Sequence, residues 1–181
     1  MYRLSSMAAI GVAGVAAIAS TLLLMHQAVP VHADGSGGMS RCSSSQLLIR
    51  HMNKGLGAAL GHSGLWYRMH VLRGGPCTLQ GFPDVVLLDR NFHPVPPHVG
   101  RGGYIIAANL PKRRVVLSQR HDAYFALELA DVPSDNQSCR LVPYLRVTPP
   151  GDHRSVVISD RISDCGTGID VSPVEPSPVL R

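Results

Sequence analysis

Lysine and charge are both scarce in this chain, which leaves little to attract a polyanion. Two lysines stand against fifteen arginines, 16% of the 181 residues are charged, and the formal net charge is +5. That balance is too mild for a nucleic-acid-binding design. Motifs of common chemistries are missing as well. No Cys-x-x-Cys pair is present on which to build a zinc ribbon or a thioredoxin-like redox site. No Gly-x-Ser-x-Gly elbow marks a nucleophilic serine. The glycines of Gly55-Leu56-Gly57-Ala58-Ala59-Leu60-Gly61 do not fit the dinucleotide fingerprint, so no phosphate cradle and no cofactor is implied. There is no internal repeat. These absences weigh against an enzyme and point to a domain that binds or displays.

What is present sets the compartment. Arg3 precedes an uncharged run from Leu4 to Leu24, and Val31-His32-Ala33 follows the small-residue rule for cleavage. Residues 1–33 read as a signal peptide cut after Ala33, and a membrane contact is expected only if that segment remains as an anchor. Met39-Ser40-Arg41 before Cys42 lacks the small and aliphatic residues of a lipoprotein signal. The expected localisation is secreted or cell envelope. Cys42, Cys77, Cys139 and Cys165 make an even number in an exported chain, as disulfides require. Of three possible pairings, Cys42 with Cys77 and Cys139 with Cys165 is preferred, because each closes a moderate loop, and the others stay open.

Along the chain, a Gly- and Ser-rich lead-in (34–45) precedes one domain (46–172) and a tail (173–181) rich in proline, read as extended and poorly ordered. Period-two alternation marks strands at Leu65 to Leu72, Pro83 to Asp89, Ala123 to Leu129, and along Leu141, Leu145 and Val147. Ile105 to Ala107, Val115 to Leu117, Val156 to Ile158 and Ile169 to Val171 are shorter candidates. Only Gly55 to Gly61 hints at helix, and its glycines argue against a stable one. Turn clusters at Gly74-Gly75-Pro76, Pro94 to Gly103, Pro133 to Asn136 and Pro149 to Asp152 separate the strands. Such spacing predicts an all-β sandwich, with Cys77 placed where a strand has ended.

The run Pro76-Cys77-Thr78-Leu79-x-Gly81-Phe82-Pro83 resembles the signature of the actinobacterial family called domain of unknown function 4232. The likeness extends to Cys42, to Gly61 and Gly64, to a third cysteine leading into Leu145-Arg146-Val147-Thr148-Pro149-Pro150, and to Cys165 before Val171-Ser172-Pro173-Val174. It implies an exported, immunoglobulin-like antiparallel β-sandwich. Arg73-Gly74 and Gln119 to Asp122 depart from the pattern in two loops. The family brings no established catalytic residue or ligand, so the resemblance implies no reaction.

Candidate sites come from the residues themselves. Lys112-Arg113-Arg114, with Arg120 nearby, is the densest basic patch and could attract an anionic envelope polymer or lipid headgroup. His93 and His98 share one Pro-stiffened loop and could present imidazoles to copper or zinc, although further ligands are needed. His121-Asp122 with a serine could be drawn as a hydrolytic triad, but triads are defined by geometry. His70 falls on the mixed face of a strand. Asn136-Gln137-Ser138 matches the N-glycosylation pattern, without meaning in a bacterium. Trp66 and Tyr67 read as core or sheet-surface residues. The leading expectation is a non-enzymatic surface-binding protein with an envelope or extracellular ligand. A metal-binding module using His93 and His98 is the alternative, and a hydrolase the weaker one.

Overall fold

Where apolar residues recur at every second position, a pleated strand can bury one side and leave the other to water. A computed structural model of the chain describes residues 38–59, 61–103, 110–133, 138–165 and 168–178. The segment read as a signal peptide, the short Ile105 to Ala107 strand and most of the glycosylation pattern lie outside them. The described strands are β1 (Leu47–Ala59), β2 (His62–Val71), β3 (Cys77–Gln80), β4 (Asp84–Leu88), β5 (Val99–Arg101), β6 (Arg114–Leu117), β7 (Ala123–Ala130), β8 (Arg140–Thr148), β9 (Val156–Asp164) and β10 (Ile169–Val171). They form a five-stranded sheet in the order β1-β2-β7-β10-β5, a three-stranded sheet β4-β8-β9 and a two-stranded sheet β3-β6. Pairing is antiparallel except between β10 and β5.

One core joins the three sheets. Ile49, Tyr67, Met69, Phe125 and Leu127 from the large sheet meet Leu79 and Leu117 from the two-stranded one, and Leu87, Leu145, Val147 and Ile162 from the third. Each such side chain contributes about 1.5 to 3 kcal/mol when fully buried. The all-β, immunoglobulin-like sandwich read from the sequence is the fold observed. Both preferred disulfides are present, Cys42–Cys77 and Cys139–Cys165. The second joins the residue before β8 to the residue after β9, closing that hairpin at its open end. The chain-entropy model assigns such loops about 3 to 4 kcal/mol each.

A polar contact spans the layers. Tyr67 is fully buried and its ring stacks on its cross-strand partner Phe125 at 5.0 Å. Its hydroxyl donates to Asp160 Oδ2 at 2.6 Å, across to β9. His51 on β1 approaches the other carboxylate oxygen at 3.4 Å. Burial, then the neighbouring Asp160 charge, push the Tyr67 phenol well above its usual 10.0, so it remains a donor.

The glycines of Gly55 to Gly61 argued against a stable helix, and the stretch is strand instead: β1 runs through Gly55 to Ala59, paired to β2 with register shifts on either side of Gly55. Bulges tolerate glycine, which is why the stretch looked unlike a strand. Several expectations change. Leu141 does not share a face with Leu145 and Val147. A register irregularity between Val142 and Tyr144 turns Val142 inward and leaves Leu141 57% exposed. Cys77 does not follow a strand but begins one, β3, which pairs with β6. The tail is not loose at its start. Pro173, Val174 and Glu175 are buried, and Glu175 exchanges backbone hydrogen bonds with Tyr124 at 2.8 Å. The lead-in is ordered at its end, where Ser43 caps a 3₁₀ turn over Ser44–Gln46.

That turn is fastened to the β8–β9 connection. Asp152 Oδ2 accepts from the Ser44 N–H at 2.6 Å, and Oδ1 accepts from His153 N at 2.7 Å and Arg154 N at 3.2 Å. Burial works to raise the Asp152 carboxyl, but these bonds prevail and lower it from 3.8 to about 2. A carboxyl depressed on folding stabilises the native state above its unfolded pKa and loses that contribution as pH falls through the folded one. Asp152→Asn should therefore lower the thermal midpoint near neutral pH, with the deficit shrinking as pH approaches about 2. Urea unfolding checks the interlayer contact. Asp160→Ala, which orphans a buried hydroxyl, should cost about 2 to 3 kcal/mol, against about 1 for Tyr67→Phe. The double variant should lie close to Tyr67→Phe alone.

Candidate functional site

Alternation within β6 decides where the basic run points. Val115 and Leu117 are buried, so Arg114, on the alternate face of the strand with Val116, points outward. Gln80 of β3 is its register partner, and the Gln80 side-chain amide donates to the Lys112 carbonyl at 3.1 Å. Lys112 is further steadied by lying over the Phe82 ring, Nζ to centroid 5.4 Å. On the other side of β3 runs the end of the lead-in. Cys42 N–H donates to the Thr78 carbonyl at 3.0 Å, and Thr78 N–H donates to the Ser40 carbonyl at 2.9 Å. This parallel bridge, closed by the Cys42–Cys77 disulfide, fixes Arg41 beside Thr78.

The three cations line one groove of about 490 Å³. Its walls are Met39 and Arg41, the β3 residues Thr78 to Gln80 with Gly81, then Lys112 and Arg114, and Pro150 with Gly151. No aspartate or glutamate lines it. Arg41, Lys112 and Arg114 form no ion pair among the described residues. Arg114 donates instead to the Met39 carbonyl at 3.4 Å, tying the lead-in to β6. Gly151 adopts φ 79, and a Cβ there would stand 3.1 Å from an Arg41 guanidinium nitrogen. A side chain would both strain the turn and crowd Arg41. Like charges held together without counterions create a positive potential that an anion relieves.

The basic run is thus divided. Arg113 does not line the groove, and its charge acts on Glu175, whose carboxyl burial pushes up and Arg113 draws down. Arg120 does not line it either; its N–H donates to Ser118 Oγ at 3.2 Å. Arg41, which the sequence reading assigned to a flexible lead-in, takes the vacated place. Its one signal is adjacency to a crosslinked cysteine.

Other candidates separate. His93 Nδ1 lies 3.8 Å from Asp89, with its side chain 76% exposed, while His98 lines a small cavity of about 150 Å³ between the loop and β4. Among the described residues no group of three or more potential metal ligands comes together. The drawn triad is divided as well. His121 Nδ1 contacts Ser118 Oγ at 3.1 Å, but Asp122 bonds His70 Nδ1 at 2.7 Å and approaches Arg68 at 3.7 Å. The acid therefore orients a different histidine. Trp66 and Tyr67 are both buried, on opposite faces of β2.

A tight turn after β4 carries an unusual residue. Phe92 has φ 62, the one non-glycine with positive φ among the described residues, a conformation costing on the order of 1 to 2 kcal/mol. The residue is 54% exposed, and its ring leans on that of Tyr144 at 4.6 Å.

Neither a curated protein nor a solved structure matches this chain. A family model does, over residues 42–179, from the first crosslinked cysteine through all of the strands described above. The chain belongs to the family described as Domain of unknown function (DUF4232).

Proposed function

We propose that this protein is a non-enzymatic binding domain of the cell envelope or extracellular space, and that its ligand presents an anionic group to the groove between the lead-in and β6. The observation that carries this reading is the convergence of Arg41, Lys112 and Arg114 on a concave surface without an acid. Guanidinium groups offer forked donors that suit phosphate and carboxylate oxygens. A rigid sheet edge supplies the positioning, and the two disulfides fit an oxidising compartment. The chemistry required of the ligand is an exposed phosphate-type or carboxylate group, as on an anionic wall polymer or a lipid headgroup.

Two probes separate those sources: poly(glycerol phosphate) in solution, and vesicles containing an anionic phospholipid. Binding measured by calorimetry for the first and by sedimentation for the second should weaken as salt rises, because the attraction is screened. Arg41→Ala and Arg114→Ala should each weaken binding about five-fold, from roughly 1 kcal/mol per cation. Arg113→Ala, outside the groove, should change it little. Equal losses for Arg113→Ala and Arg114→Ala would remove the groove from the explanation and leave only general charge.

A further inference from the structure

We infer that the turn after β4 is a second binding surface, on which Phe92 serves as a stacking platform for a sugar ring. The turn does not need the phenylalanine side chain. Asp89 Oδ1 accepts from Asn91 N at 2.8 Å and His93 N at 2.9 Å, the Phe92 N–H donates to the Asp89 carbonyl, and the Asp89 N–H donates to the His93 carbonyl. Every one of these bonds uses Asp89 or backbone. At φ 62 glycine or asparagine would relieve the strain that phenylalanine bears. An aromatic residue held in a strained conformation and left more than half exposed opposes stability twice, and such outliers gather where a ligand is held.

The surroundings select the ligand class. One face of the ring rests on Tyr144, so the pair presents a supported aromatic surface to solvent. The same turn carries Asp89, whose Oδ2 is free of the bonds that build the turn, and His93, whose Nδ1 lies 3.8 Å from that oxygen. The N–H groups of His93 and then Asn91 hold the Asp89 carboxyl below its usual value, so it is an acceptor at neutral pH. An aromatic face suits the C–H side of a pyranose, while a carboxylate and an imidazole in the same turn suit the ring hydroxyls as acceptor and donor. The groove and this turn share no residue, so the two readings stand or fall separately.

The test uses the full chain with maltohexaose, cellohexaose and chitohexaose as probes, following the backbone amide resonances of Asn91, Phe92 and His93. At least one probe should shift these signals in a saturable way. Phe92→Gly should weaken that binding roughly ten-fold or more without lowering the thermal midpoint, since the lost ring contact is offset by relief of the backbone. Phe92→Tyr should retain it. The inference is overturned if no probe moves the turn resonances, if binding survives in Phe92→Gly, or if that variant loses binding together with a lowered midpoint.

Discussion

A buried phenol needs an acceptor, and Tyr67 finds its own on the opposite layer. Hydrophobic burial is strong but has no direction, so the core of Ile49, Met69, Phe125, Leu145 and Ile162 could be satisfied by several ways of laying one sheet on the other. A hydrogen bond of 2.6 Å from Tyr67 to Asp160 admits far fewer. It fixes the edge strand β9 against β1 and β2, and His51 joins the same carboxylate from the neighbouring strand. The turns that carry Gly151 and Phe92 belong to the same three-stranded sheet, so that alignment also bears on where they stand.

Both proposed surfaces exploit the rigidity this provides, in opposite ways. At the groove, alternation along a short strand turns Arg114 outward because Val115 and Leu117 must turn inward. Special backbone is confined there to two glycines, Gly81 and Gly151, both at positive φ. At the Phe92 turn the backbone itself is forced, with Asp89 supplying the bonds that keep it so. One site collects charge on regular structure, whereas the other spends conformational energy to expose a ring.

Much of the frame was legible in the sequence, for reasons that residues make plain. Tyr67, Met69 and Val71 alternate cleanly and are all buried, and Phe125, Leu127 and Leu129 share a buried face as expected, although in β7 the other face is buried as well at Ala126 and Glu128. Sequence-neighbour pairing identified the disulfides because hairpin-like connections bring such cysteines together. Legibility failed where tertiary pairing overrides local pattern. Glycines along β1 obscured the longest strand, and a register shift in β8 exchanged Leu141 for Val142. The tail looked loose because prolines cannot extend a sheet, yet Val174 and Glu175 are held by bonds to Gly81 and Tyr124. The groove was half visible. Lys112 and Arg114 stood in a basic run, but Arg41 lies some seventy residues away and enters only through the fold. Phe92 carried no signal at all, because a strained φ leaves no trace in composition.

The Cys42–Cys77 bond has a consequence beyond stability, since it spans the two walls of the groove. Without it, the strand of lead-in bearing Arg41 would be held to β3 by hydrogen bonds to Thr78, and to β6 by the weak contact from Arg114. The cationic surface is then assembled by oxidation as much as by folding. In a reducing environment Lys112 and Arg114 would stay together at β6, while Arg41 would lose the covalent tie that holds it opposite them. If the groove binds as proposed, its full set of three cations is complete only where these thiols are oxidised.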